Sequence, residues 1–210
     1  MPSVNTRIFF SKTDRAKYIS HLDLNSVMQR AIRRSRLPVW RTEGFNPHTY
    51  VQFMLPLSLG QEGLHEAMDF RLLEDISPEE TAQRLNEALP HDIRVTEVSV
   101  PKYKNTDIAS AEYDIFGAIS PEKFGEFIAQ DKIIAEKKTK KGITEIDLKP
   151  LVSGVSISDG RITLRLPAGN EFNINPALLL DAYAAFSAQP LPRLRIVRTH
   201  IFCTDGNEFV

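Results

Sequence analysis

A single cysteine, Cys203, leaves no partner for an internal disulfide and no thiolate set for a cysteine-only zinc or iron–sulfur centre. No apolar run approaches the roughly 20 residues that cross a bilayer. The opening "MPSVNTRIFF" has neither the basic start nor the long apolar stretch of a signal peptide. A cytoplasmic chain with no membrane contact is the expectation. Also missing are a Gly-rich phosphate loop, a dinucleotide fingerprint, a serine-nucleophile elbow and a histidine–glutamate zinc helix. No cofactor is expected, and Cys203, within the apolar "THIFC", reads as an inert core thiol rather than a nucleophile.

What is present is enough for a core. The 210 residues are 42% hydrophobic and 25% charged, which fits one large soluble domain or two small ones. The net charge of −1 conceals a segregation. Residues 1–50 carry nine Lys or Arg against three Asp or Glu, whereas residues 51–100 carry three against ten. Two readings follow: a basic binding face, or two segments that neutralise each other once folded.

Hydrophobic periodicity sets the element order. "NTRIFFSKT" alternates as a strand does. Ser20 then stands where a helix cap belongs, with Asp23 three residues on to accept orphan N–H groups and face the positive end of the dipole. Leu24, Val27, Met28, Ala31 and Ser35 share one face of that helix, the arginines take the other, and Pro38 ends it. "VWRTEGFNPHTYVQFMLPL" is extended but broken at Gly44 and Asn46-Pro47, "SLGQEG" is a connection, and "EAMDFRLLE" is a strand. "SPEETAQRLNEAL" opens a second helix on Ser77 and Pro78, and "DIRVTEVSV" closes the series as a strand. "VPKYKNTDIAS" reads as a linker. After it come the strand "AEYDIFGAI", the helix "SPEKFGEFIAQ", a hairpin around Gly142, the strand "RITLRLPAG", the helix "NPALLLDAYAAFS" and the strand "RLRIVRTHIFC". The order β-α-β-β-α-β thus occurs twice, the second time with an extra hairpin strand. The expected fold is α+β: two tandem ferredoxin-like domains, residues 1–101 and 110–210, with antiparallel sheets and helices on one face.

The pieces "YISHLDL", "RAIRRSRLP", "GFNPH", "LPLSLG", "RLNEALP" and "TKKGITEIDLKP" resemble, in that order, the radical-SAM-linked proteins, a domain of unknown function. Members of that family are encoded beside a radical-SAM protein or fused to one. The resemblance implies a radical-SAM partner. It carries over no functional residues, because the family has no assigned activity. With one cysteine, this chain cannot itself hold the partner's cluster.

Three groups of residues are candidates for function. Arg30, Arg33, Arg34, Arg36 and Arg41 offer guanidinium forks suited to phosphate oxygens, and Lys137, Lys138, Lys140 and Lys141 make a second cationic surface. Both could contact RNA or a protein partner, or simply be solvated. In "GFNPHTY", Phe45, Asn46 and Tyr50 are candidate loop contacts, and Phe45, Tyr50 and Phe53 would stack on bases if exposed. His21 and His48 are candidates for acid–base chemistry, and with Asp23 for a weak metal site; His65 would be a third ligand but fits a solvated loop or strand end better. The leading expectation is a non-catalytic accessory module that contacts RNA or another macromolecular substrate for a radical-SAM partner. One alternative is an RNA-processing enzyme using His21 or His48. It resembles the repeat-processing endoribonucleases of tandem ferredoxin-like build, yet "NPALLLDAYAAFSAQPLPRLRIV" lacks their Gly-rich loop. The other alternative is a protein-binding adaptor.

Overall fold

The computed structural model describes residues 3–139, 142–158, 160–169 and 172–210; Lys140 and Lys141 fall outside them. The described residues form a mixed α+β structure of antiparallel strands and four helices, divided into Met1–Asp107 with Phe209–Val210 and Ile108–Glu208. No helix among them is long and apolar enough to cross a membrane.

The first unit contains β1 (Val4–Lys12), α1 (His21–Arg34), β2 (Gln52–Phe53), β3 (Glu62–Leu72), α2 (Pro78–Ala88) and β4 (Ile93–Ser99). Strand β1 pairs antiparallel with β3 and β4, and β2 pairs antiparallel with β3, so the order is β4-β1-β3-β2. Period-2 alternation divides this sheet into two faces. Ile8 and Phe10 of β1, with Met68, Phe70 and Leu72 of β3, join Leu24, Met28, Ala31 and Ile32 of α1 and Leu85 and Leu89 of α2 in one buried cluster. Each such Leu, Ile, Met or Phe side chain is worth about 1.5–3 kcal/mol on burial. Strand β3 begins at Glu62, so the "SLGQEG" connection ends earlier than its Gly and Glu residues suggest.

The other face is held by one ion pair. Arg7 is fully buried; its Nε lies 2.8 Å from Asp69 Oδ1, and a terminal nitrogen donates at 3.0 Å to Asp69 Oδ2. It also donates to the carbonyls of Tyr103 at 2.8 Å and Val210 at 3.4 Å, and its Cζ sits 4.4 Å from the Phe209 ring centroid. Residues expected to be a linker are therefore fastened to the first sheet.

The second unit contains β5 (Ile108–Phe116), α3 (Pro121–Ala129), β6 (Ile134–Thr139), β7 (Gly142–Asp147), β8 (Ser153–Ser158), β9 (Arg161–Pro167), α4 (Pro176–Ser187) and β10 (Arg195–Cys203). Its antiparallel order is β10-β5-β9-β8, with β6 and β7 as a separate hairpin. Setting that hairpin aside, the order matches the first unit strand for strand. Strand β8, "SGVSIS", was not expected: its serines and glycine carry little strand propensity, and its place comes from pairing with β9. Strand β5 starts at Ile108, inside the expected linker, because a 3-10 turn at Asn105–Asp107 delivers a buried isoleucine to the sheet. Cys203 is buried.

Removing Arg7 would leave Asp69 without its counter-ion. Arg7→Ala is expected to cost about 3–5 kcal/mol, nearer the lower figure because the carboxylate retains some solvent. Urea unfolding reads this directly, and amide exchange near Tyr103 should accelerate.

A second expectation concerns Asp147. Its carboxylate accepts N–H bonds from Ile133 at 2.9 Å and Lys149 at 3.0 Å, which hold it below the ordinary aspartate value of 3.8. The anchorage it gives the hairpin is complete above that value and is lost as pH falls through the lower folded one. Protection of the Ile133 and Lys149 amides, measured against their intrinsic exchange rates, should therefore fall at acid pH, and Asp147→Asn should remove that pH dependence.

Candidate functional site

The site is built on α1 and the loop after it. Ser20 Oγ accepts the Asp23 N–H at 3.1 Å and donates to Asp23 Oδ2 at 2.7 Å, which fixes the start of the helix and commits Asp23 to capping. The helix ends before Pro38. Ser35, expected on the apolar face, is half-buried and turns its hydroxyl to the Ile32 carbonyl, and Arg36 takes the left-handed conformation at φ +55°. Leu37 then enters the core.

With Leu24, Met28, Ala31 and Ile32 facing the sheet, the basic side chains are left on the outer side of the helix. Arg30, Arg33, Arg34, Arg36 and Arg41 are all exposed. Arg30 folds back on the Ser26 carbonyl at 3.2 Å, and Arg34 donates to the carbonyl of Ala88 at the end of α2. Among the described residues, none of the five pairs with a carboxylate. The acidic segment serves other cations: Asp69 holds Arg7, Glu62 holds Lys17 at 2.8 Å, and Glu80 holds Arg84 one turn along α2. Arg34 and Arg36 meet Arg84 around an open depression of about 630 Å³, which Ser35, Glu87 and Ala88 complete. Arg84 joins this set unanticipated, since it lies fifty residues away in an acidic stretch. Its helical position in "SPEETAQRLNEAL" was the available signal.

The loop beyond is a closed finger. Arg41 bridges Thr49, the Thr42 N–H donates to the His48 carbonyl at 2.9 Å, and the His48 N–H returns to Thr42 Oγ1 at 3.1 Å. His48 Nδ1 lies 3.0 Å from Thr42 Oγ1 and 3.2 Å from the Asn46 carbonyl. Gly44, at φ +121°, makes the turn that most residues resist. Phe45 is consequently fully exposed near the tip, beside exposed Asn46. Tyr50 does not join them. It is half-buried, donates to Gln52 Oε1 at 2.9 Å and meets Trp40 edge-on. Phe53 is no exposed stacking platform either, because it packs into the α1 cluster against Phe10.

Both histidines have structural work. His21 sets its ring edge-on to Phe53 at 4.9 Å, and His48 closes the finger. Among the described residues, no three His, Cys, Asp or Glu side chains gather as metal ligands, so His21, Asp23 and His48 form no such set. His65 lies within β3, not in a loop, and stacks on Phe9 at 4.2 Å. Lys137 and Lys138 belong to β6, opposite Thr144 and Ile143 of β7; Lys140 and Lys141 lie outside the described residues. In the second unit, by contrast, Arg161 pairs with Asp114 at 2.9 Å and Arg165 approaches Glu112 at 3.9 Å.

Residues 5–176 match the model of a family described as "Uncharacterized protein conserved in bacteria (DUF2344)". None of the curated proteins matches. A solved structure described as a "putative glycine cleavage system transcriptional repressor" aligns over 94% of this chain and 99% of its own, at 15% identity and a TM-score of 0.25.

Thr42→Val should open the finger. It removes the hydroxyl that bonds both the backbone and the ring of His48, so amide exchange at Thr42 and His48 should quicken while global stability changes little.

Proposed function

The chain belongs to this uncharacterized bacterial family, and we propose that it is a non-catalytic RNA-binding module acting for a radical-SAM partner in the cytoplasm. The observation that carries the reading is the set of five exposed arginines on and after α1 with no carboxylate partner among the described residues. A guanidinium paired with a neighbouring carboxylate has already used its fork. One left in water keeps its donors for phosphate, and binding releases counterions from the polyanion. The depression formed with Arg84 adds curvature to this surface, and Phe45 offers an aromatic face that a splayed base can stack on.

We read each unit as ferredoxin-like. The matching antiparallel orders β4-β1-β3-β2 and β10-β5-β9-β8, with two helices in each unit, support that reading. The β6–β7 hairpin is then an insertion after the first helix of the second unit. The partner follows from the resemblance to radical-SAM-linked proteins. These 210 residues, with one cysteine, do not themselves carry a three-cysteine cluster, so on this reading they capture the substrate and the radical chemistry belongs to the partner. Catalysis by His21 or His48 draws no support from the geometry, since each ring is engaged in packing or loop closure.

The test is RNA affinity over a salt series. The wild-type chain should show a linear fall of log affinity with log salt. Arg30→Glu, Arg33→Glu and Arg34→Glu together should weaken binding at least tenfold and lower the slope by about 2–3, since each lost phosphate contact removes about 0.7–0.9. The melting temperature of the triple variant controls for folding. Unchanged binding would remove the RNA reading and leave the protein-adaptor role.

A further inference from the structure

The sheet face opposite the helices of the first unit carries a second basic feature, a pocket of about 420 Å³. Its floor is built by cross-strand register: Asn5 of β1 stands opposite Arg71 of β3, and Arg7 opposite Asp69. Its wall is the segment after β4, where Lys102, Lys104, Asn105 and Thr106 line it. Arg7 holds that wall in place through the Tyr103 carbonyl.

The charge in this pocket is uncompensated. Among the described lining residues Asp69 is the one carboxylate, and both its oxygens accept from Arg7. Arg71, Lys102 and Lys104 have no carboxylate partner among the described residues. Arg71 Cζ lies over the Trp40 ring at 5.2 Å and the Tyr50 ring at 5.6 Å, contacts that steady the guanidinium while no described residue accepts from its N–H donors. Lys102 Nζ lies 5.2 Å over the Tyr103 ring. A cation thus already occupies a face of each lining tyrosine, which leaves poor footing for a stacked base. The remaining lining is polar: Asn5, Gln52, Asn105 and Thr106 carry the amide and hydroxyl groups that recognise sugar hydroxyls. The volume lies within the roughly 300–1,000 Å³ of small-molecule sites.

We propose that this pocket binds a ribose phosphate group, with its phosphate on Arg71, Lys102 and Lys104 and its hydroxyls on the amide side chains. The same chemistry is offered by a free sugar phosphate, a mononucleotide or the 5′-phosphorylated end of an RNA. This inference stands on residues separate from the α1 surface.

Trp40 is the sole tryptophan, so its fluorescence reports on Arg71 beside it. The full chain is titrated with ribose 5-phosphate, ribose, inorganic phosphate, adenosine 5′-monophosphate, and a ten-nucleotide RNA with or without a 5′-phosphate; calorimetry runs alongside. Saturable binding of ribose 5-phosphate at least tenfold tighter than of ribose or of inorganic phosphate is expected. Lys102→Ala with Lys104→Ala, two exposed positions, should weaken it at least tenfold, as should Arg71→Gln by calorimetry. Tighter binding of adenosine 5′-monophosphate assigns the site to free nucleotides, and tighter binding of the 5′-phosphorylated RNA assigns it to RNA ends; either supports the proposal. No binding by either method, equal affinity for inorganic phosphate, or binding indifferent to these substitutions overturns it. The Arg30, Arg33 and Arg34 reversal should leave the ribose 5-phosphate titration unchanged, so failure of the α1 reading and failure of this one are distinguishable.

Discussion

A buried guanidinium is the constraint on which the first unit depends. Arg7 sits in the middle of β1 with no solvent, where an unpaired charge would cost several kcal/mol. Each acceptor that relieves this cost is drawn from a different stretch of chain: Asp69 from β3, the Tyr103 carbonyl from the segment after β4, and the Val210 carbonyl from the C-terminus. The ion pair gives little net stability over an apolar substitute. It imposes a specification instead, since these segments reach the same point only in this arrangement. That is why residues 101–106, polar and proline-headed, are structured and form a wall.

Carboxylates are allocated unevenly to the cations of this chain, and the allocation separates architecture from surface. Arg7, Lys17 and Arg84 each take one acidic partner in the first unit, and Arg161 and Arg165 lie near Asp114 and Glu112 in the second. Among the described residues, the arginines of α1 take none. The charge segregation along the first hundred residues is therefore not cancelled by contacts with the α1 arginines, even though the net charge nearly vanishes. At physiological salt the Debye length is about 8 Å, so unpaired guanidinium groups on one helix face present their own local field rather than the molecular average.

Local chemistry made much of the fold legible. Ser20, Ser77, Ser120 and Asn175 each cap the helix that their position announces, since a cap needs only neighbours within three residues. The strand at β1 and the apolar stripe of α1 were equally readable, although Thr6 to Phe10 are all buried rather than alternating, and so was the cationic outer face, because burial of Leu24 and Met28 dictates where Arg30 and Arg33 point. What escaped depends on contacts distant in sequence. Strand β8 is a strand because β9 pairs with it, His21 gains its role from Phe53 thirty-two residues on, and Arg84 reaches Arg34 only through helix packing. The polar pocket was hidden for the same reason. Asn5, Arg71 and Lys104 become neighbours through register and the Arg7 anchor, and of the candidates among the described residues only Tyr50 lines it.

Arg7 and Arg71 show how little residue type decides by itself. Both belong to the same sheet, and each has a cross-strand partner on an adjacent strand. For Arg7 that partner is Asp69, whose two oxygens satisfy the fork; the charge is spent, and the group serves the fold. For Arg71 the partner is Asn5, an amide that cannot neutralise it, and Trp40 and Tyr50 support the guanidinium without accepting its protons. The register that buries one arginine therefore leaves its neighbour charged, steadied and facing a polar hollow. A shift by one residue would exchange the two faces of β3, so the anchor and the pocket rise or fall together with a single pairing register.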